Sequence, residues 1–295
     1  MKEHNEYIID EQYSGRCIKD FLINKLGVSH RNLVNLKKNS AILLNDEAAY
    51  VNARLTMGDR VEIFLMDKGS ENILPEAFAL DIIYEDDYLI VVNKEAGMPV
   101  HPTKGHFTGT VANALAYYWR DKGKNIKIRP INRLDKDTSG LVLFAKNSHV
   151  QYMMSKEKFS FRKEYIAVVE GLMEKEVGII DLPIKREGSH TIRRTVSQDG
   201  QRAVTSYKSI KKKEAATLLR VNLVTGRTHQ IRVHMSSSGH PLFGDELYGG
   251  SREMIQRQAL HAEKIFFIHP ATGSDIELHA KIPRDIKLLC DVLGF

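Results

Sequence analysis

The segment Asn132-Arg133-Leu134-Asp135-Lys136-Asp137-Thr138-Ser139-Gly140-Leu141 decides how the rest of the chain is read. One carboxylate, Asp135, stands between the cations Arg133 and Lys136, whose Coulomb attraction favours its ionised form. Asp137-Thr138-Ser139-Gly140 then supplies turn chemistry: short polar side chains that bond nearby backbone, and a glycine free to take positive φ. The apolar run Leu141-Val-Leu-Phe-Ala-Lys146 predicts a buried strand directly after that turn. An acid on a tight turn feeding a core strand is a rigid mount for a reactive group. The same turn also joins strands in many proteins with no chemistry attached, so these residues alone leave a plain ion-paired carboxylate open.

Outward from this segment the chain alternates strand-like runs, at 89–93, 165–171, 217–224, 264–270 and 275–282, with few helices. Residues 111–120 and 149–159 carry the clearest helical patterns, and 211–214 reads as a hairpin tip. Many strands without a βαβ rhythm predict an α+β fold rather than a doubly wound sheet. The first part of the chain reads as a separate small module. Ile18, Phe21, Leu22 and Leu26 share one helical face; Ser29 is placed to cap a second helix from His30 to about Asn39; and strands are expected at 41–44 and 60–65 around a turn at Met57-Gly58-Asp59. The polar, glycine- and proline-bearing stretch after Asp67 marks a linker. The expected division is a module over 1–67, a linker over 68–78 and a large domain over 79–295.

Bulk composition narrows the class. At 295 residues and 42% hydrophobic content the chain can bury an ample core. Its 43 basic and 37 acidic residues give a net charge of +6, which suits a polyanionic partner. Two cysteines, Cys17 and Cys290, are no disulfide framework and predict a reducing, cytoplasmic compartment. The charged start has no apolar stretch of a signal peptide, and no apolar run approaches the ~18 residues of a membrane span, so no membrane association is expected. The sequence offers no CxxC pair, His229 and His234 lack HExxH spacing, and no phosphate-loop pattern occurs, so no metal and no cofactor are predicted. The glycine-rich Gly239-to-Gly250 stretch reads as turn.

The segment around Asp135 resembles the catalytic signature of the RluA-type family of RNA pseudouridine synthases, in which the aspartate sits in Arg-Leu-Asp-x-x-Thr-Ser-Gly. Residues 84–102, 163–171, 223–249 and 259–270 resemble further blocks of that family, in family order, so that the likeness covers nearly everything from position 80 onward. The N-terminal order of two short helices, a hairpin and a closing strand resembles an S4-like RNA-binding domain. The resemblance implies a mixed, mostly antiparallel sheet with a central cleft. It implies Asp135 as nucleophile or proton-abstracting base, Tyr165 stacked on a flipped uracil, and Arg232 as the basic partner of the aspartate. Arg227 and His229 are expected to shape the cleft wall or meet RNA, Leu260 to floor the base, and Arg133 to contact distorted backbone. Arg31, Lys37 and Lys38 are expected to meet phosphate, supplying affinity without reading sequence. The implied partner is structured RNA, ribosomal RNA ahead of transfer RNA, bound by a monomer.

Two positions depart from the family pattern: Asn132 stands where the family usually has histidine, and Glu95 where it more often has proline. Neither falls on a residue assigned to chemistry. Two rival readings fit the residues less well. A non-catalytic RNA-binding or assembly factor would have no need of Asp135, Tyr165 and Arg232 together. A hydrolase using Ser139 or His229 lacks a nucleophile elbow.

Overall fold

The computed structural model describes residues 2–28, 30–38, 40–66, 73–103, 105, 107–156 and 161–295. In chain order, β1 (Lys2–Ile8), α1 (Ile18–Asp20, running on as a π-turn over Phe21–Lys25), α2 (His30–Lys38), β2 (Ile42–Leu44), β3 (Glu47–Ala48) and β4 (Arg60–Met66) build a four-stranded sheet in the order β1-β4-β2-β3. Ile18, Phe21, Leu22 and Leu26 are all buried in its core with Leu33, Leu36, Val61 and Ile63, as the helical face predicts. β1 is the element the pattern missed. It is an edge strand of mostly polar residues, paired antiparallel to β4 from Lys2↔Met66 to Ile8↔Arg60, so no alternation flags it. Ser29, Asn39, the side chain of Arg31, residue 67 at the end of the expected module and residues 68–72 of the expected linker lie outside the described residues. Within the rest of that linker, Ile73 packs on the larger body, the Leu74 carbonyl accepts from Asn113 Nδ2 at 2.7 Å, and Glu76 Oε2 accepts from the Gly109 N–H.

The larger body contains β5 (Asp81–Glu85), β6 (Leu89–Lys94), α3 (Val111–Asp121), β7 (Ser139–Ala145), α4 (Ser148–Met154), β8 (Arg162–Glu170), β9 (Val177–Asp181), β10 (Ile184–Arg186) and β11 (Arg194–Val196). It continues with β12 (Val204–Lys213), β13 (Ala216–Leu223), α5 (Gln230–Ser237), β14 (Leu260–Ile268), β15 (Asp275–His279) and α6 (Arg284–Val292). Nine of these strands form one sheet, ordered β5-β6-β7-β14-β8-β13-β12-β9, with β15 also on β14. The β7–β14 contact is parallel and the other ladders of this sheet are antiparallel. The expected α+β architecture with a mixed, mostly antiparallel sheet is what the chain adopts. Among the described residues no helix is long and apolar enough to cross a membrane.

β6 and β7 are apolar without alternation because both of their faces are covered. Ile90, Val92, Val142 and Phe144 meet Val111, Leu115 and Trp119 of α3. Leu89, Val91, Leu141 and Leu143 meet Val150 and Met154 of α4 and Ile265 of β14. Each such side chain, fully buried, contributes about 1.5–3 kcal/mol. α3 begins at a capping box in which the Thr110 side chain and Asn113 satisfy each other's backbone N–H groups.

The turn reading of Ser139-Gly140 needs correction. The turn is Lys136-Asp137, closed by the Thr138 N–H on the Asp135 carbonyl at 3.1 Å, and Ser139 already opens β7. Gly140 has φ +116°, and a Cβ there would lie 2.3 Å from the Ala262 carbonyl oxygen. This glycine is needed for close approach of two strands, β7 and β14, rather than for reversing the chain.

Candidate active site

The strand order decides which side chains meet. β14 lies between β7 and β8, so the turn before β7, Tyr165 in β8 and Leu260 at the start of β14 converge at one end of three neighbouring strands. α5 lies against β11 and β12 and adds Arg232. Together they line an open cleft with Arg133, Leu134, Asp135, Thr138, Arg227 and His229.

Asp135 is held on one side only. Its Oδ2 accepts from Arg232 Nη1 at 3.1 Å and lies 3.8 Å from His229 Nε2, while Oδ1 has no side-chain partner among the described residues. The carboxylate remains 26% exposed, open to whatever enters the cleft. Arg232 in turn is gripped by Asp245, which accepts from Nε and Nη2 at 2.7 Å each. Burial works against the guanidinium charge, but the bonds from Asp245 and the field of Asp135 raise its pKa above the ordinary arginine value. The ring of Tyr248 lies under the same guanidinium at 5.0 Å, and its hydroxyl is 2.8 Å from His229 Nδ1 and accepts from the Arg194 N–H at 2.9 Å. A buried bidentate pair fixes both the charge and the direction of the arginine, and so the rotamer of Asp135.

Flanking residues contribute less than the local sequence suggests. Arg133 and Lys136 are exposed, and the guanidinium at contact distance from Asp135 comes from Arg232, 97 positions on. Behind the turn, Arg257 Nη1 donates to the Asp137 carbonyl at 3.1 Å and Gln258 Nε2 to Thr138 Oγ1 at 3.1 Å. Asn132 is buried and braces the approach to the turn: its Nδ2 donates to the Leu141 carbonyl at 3.1 Å and its Oδ1 accepts from the Leu143 N–H at 2.8 Å. The residue at this departure from the family pattern is therefore scaffold.

The cleft floor is apolar. Tyr165 is 4% exposed and packs in one cluster with Leu260, Leu219 and Ile231, with Leu134 against it. Burial, then the nearby Asp135 charge, push its phenol above the ordinary tyrosine value, so it is a neutral hydroxyl at neutral pH. His229 stands in a left-handed conformation, φ 58°, at the start of α5. Burial lowers its pKa despite the pull of Asp135, so at neutral pH the imidazole is uncharged. Lys163 also lines the cleft, its charge disfavoured by burial.

The structure thus brings Asp135, Tyr165, Arg232, Arg133, Arg227, His229 and Leu260 to one cleft. Lys37 and Lys38 are exposed at the end of α2, and among the described residues none of the first 66 lines that cleft. Sequence reasoning missed Asp245 and Tyr248. The turn reading of their stretch is right locally, since Gly244 and Gly249 have φ of 76° and 91°, yet the turn exists to present these two side chains. An acid between glycines, followed three residues later by tyrosine, is the signal that was there to find.

Comparison with known proteins identifies the fold and the family. The fold is that of pseudouridine synthase domains: the human RNA Pseudouridylate Synthase Domain Containing 1 superposes with a TM-score of 0.57 at 23% identity, covering 78% of this chain and 98% of that one. The RNA pseudouridylate synthase family profile matches residues 88–237. The chain is 40% identical over 289 residues to the uncharacterized RNA pseudouridine synthase YhcT of Bacillus subtilis (strain 168), covering 97% of this chain and 96% of the relative. It is also 40% identical over 236 residues to ribosomal large subunit pseudouridine synthase D of Zymomonas mobilis, covering 74% of each. The chain belongs to the RNA pseudouridine synthase family and is an isomerase.

Proposed function

We propose that this enzyme converts specific uridines of large-subunit ribosomal RNA to pseudouridine, with Asp135 as the reacting carboxylate and no cofactor. The observation that carries the proposal is the asymmetry of Asp135: Oδ2 is tied to the buried Arg232–Asp245 pair, and Oδ1 is left without a side-chain partner in a carboxylate open to the cleft. The ribosomal substrate is supported by relatives named ribosomal large subunit pseudouridine synthase D, from Zymomonas mobilis and Pasteurella multocida, at 40% and 38% identity. Transfer RNA is the alternative substrate class.

In the reaction the bond from ribose C1′ to uracil N1 breaks and a bond from C1′ to C5 forms. The proton leaves C5 and N1 gains one, so atoms balance and no electrons enter or leave. Asp135 serves as nucleophile or as proton-abstracting base; the oxygen free of Arg232 suits attack on the sugar, attack on the base, or removal of a ribose proton. Arg232 keeps the carboxylate aimed. The detached uracil must turn without escaping, and Tyr165 and Leu260, packed in one cluster and both lining the cleft, give it an apolar floor on which to do so. A uridine in folded RNA reaches this depth only by flipping out, at a cost of a few kcal/mol. Arg133, exposed and lining the cleft, is assigned in this reading to hold the displaced backbone, and Arg227 and His229, which also line it, to form the wall.

The N-terminal sheet is proposed as an S4-like RNA-binding module, with Arg31, Lys37 and Lys38 toward phosphate. The enzyme is proposed to act as a cytoplasmic monomer without membrane association. The test is to map pseudouridine in ribosomal and transfer RNA from cells lacking the gene, with and without the gene restored. Sites in large-subunit RNA that vanish and return support the reading; sites in transfer RNA alone move the substrate, and no lost site contradicts it.

A further inference from the structure

We propose that the groove beside Tyr50, in the N-terminal sheet, is a binding site for one unpaired nucleobase of the substrate RNA, with Tyr50 as its stacking platform. The inference deepens the reading of that sheet as an RNA-binding module given under Proposed function, and rests on it. Tyr50 follows β3 and is 85% exposed, more than any other large hydrophobic side chain among the described residues. Its hydroxyl has no partner among those residues. The backbone that carries it is nonetheless held from both sides. The Ala49 N–H donates to the Ile42 carbonyl at 3.0 Å, the Lys19 N–H to the Val51 carbonyl at 2.8 Å, and the Ala53 N–H to the Tyr50 carbonyl at 2.9 Å. A ring with two rotatable bonds on a fixed backbone loses little freedom when something stacks on it.

The groove has the mixed chemistry that a base in a strand requires. Leu36 and Ile42 give it a buried apolar lining, and Lys37, Ser40 and Asn52 add an exposed ammonium, hydroxyl and amide. No carboxylate lines it, and neither Lys37 nor the adjacent Lys38 has an ion pair among the described residues. The ring and the apolar lining match the faces of a base. The amide and hydroxyl both donate and accept, as a base edge demands. The two lysines match the flanking phosphates. Unpaired bases in loops and bulges are recognised by this combination of stacking and edge contacts. A protein partner covering the ring would have to bring carboxylates to two lysines, whereas RNA brings a phosphate with every base.

Two measurements on the full chain test this, with ribosomal RNA from cells lacking the gene as the probe. In the first, Tyr50→Ala and Tyr50→Phe are compared with wild type and with Lys37→Glu/Lys38→Glu for affinity across a salt series. Loss of one stacked base is expected to weaken binding by Tyr50→Ala about five- to 150-fold. The log–log salt slope stays unchanged, since no phosphate contact is lost, and Tyr50→Phe stays within about two-fold of wild type. Wild-type affinity in Tyr50→Ala overturns the proposal, and so does an equal loss in Tyr50→Phe, which would make the hydroxyl the contact. In the second, Tyr50→Trp places an indole at the site, against the constant background of the chain's own Trp119, which is 1% exposed. Stacking predicts fluorescence quenching by the RNA and none by inorganic polyphosphate. Quenching by both, by neither, or by added protein alone overturns the proposal, the last by pointing to a second copy of the chain. If neither Tyr50→Ala nor the lysine variant weakens binding, the reading of the N-terminal sheet as RNA-binding fails; if the lysine variant alone does, only the stacking site fails.

Discussion

Asp135 owes its orientation to residues far away in sequence. The pair beside it is buried, with Asp245 1% and Arg232 9% exposed in their side chains, and its value lies in direction as well as charge. Removing one member of a buried pair leaves the other uncompensated, at about 3–5 kcal/mol. Asp245→Asn is therefore expected to lower unfolding stability by about 3 kcal/mol and to reduce kcat about a hundred-fold as Arg232 loses its aim. Denaturant melts and single-turnover kinetics on one preparation check both. Local residues announced Asp135, and likeness to the family supplied Tyr165 and Arg232. Asp245 was illegible because an acid in a glycine-rich turn looks the same whether it meets solvent or an arginine 13 residues back.

Among the elements, the strands with both faces covered were the most legible, since β6 and β7 carry apolar runs too continuous for a loop or a half-exposed helix. The parallel join of β7 to β14 was not, because His261↔Ser139 and Ala262↔Gly140 link residues 122 apart and leave no local trace. Gly140 therefore looked like a turn residue. Its true place makes a sharp prediction: a methyl group at 140 meets the Ala262 backbone at 2.3 to 2.7 Å, and backbone cannot move aside as a flexible side chain would. Gly140→Ala is expected to cost about 3 kcal/mol or more through overpacking and positive φ together, read as a lower melting temperature. Native melting with full activity would show that β7 and β14 are not joined as described. β1 was illegible for the opposite reason, being an edge strand of polar residues.

For the whole molecule, buried histidines tie stability to pH. Burial lowers His261 from 6.5 to about 4, and lowers His149, His229 and His234 as well. The unfolded chain then takes up protons before the folded one as pH falls. Stability present above about pH 6.5 is lost as pH drops toward 4, with His261 contributing up to about 3 kcal/mol. Melting temperature is expected to fall from pH 7 to pH 4.5, and less steeply in His261→Gln; equal slopes would contradict the assignment. The proposed role of Lys37 and Lys38, both exposed in a chain of net charge +6, can be read in RNA affinity. Replacing both with glutamate in the full chain is expected to weaken RNA binding uniformly across sequences and to flatten its log–log salt dependence by about 2. Unchanged affinity and slope would remove these lysines from the RNA contact.

The most direct test of the central claim is tritium release from ribosomal RNA labelled at uridine C5 and taken from cells lacking the gene, comparing wild type with Asp135→Asn. Each isomerisation must expel the C5 hydrogen, so wild type is expected to release tritium in proportion to pseudouridine formed, and Asp135→Asn to release none while still binding RNA. Release by both proteins, or by neither with binding intact, would contradict the account, the first by removing Asp135 from the chemistry and the second by pointing to an RNA-binding assembly factor.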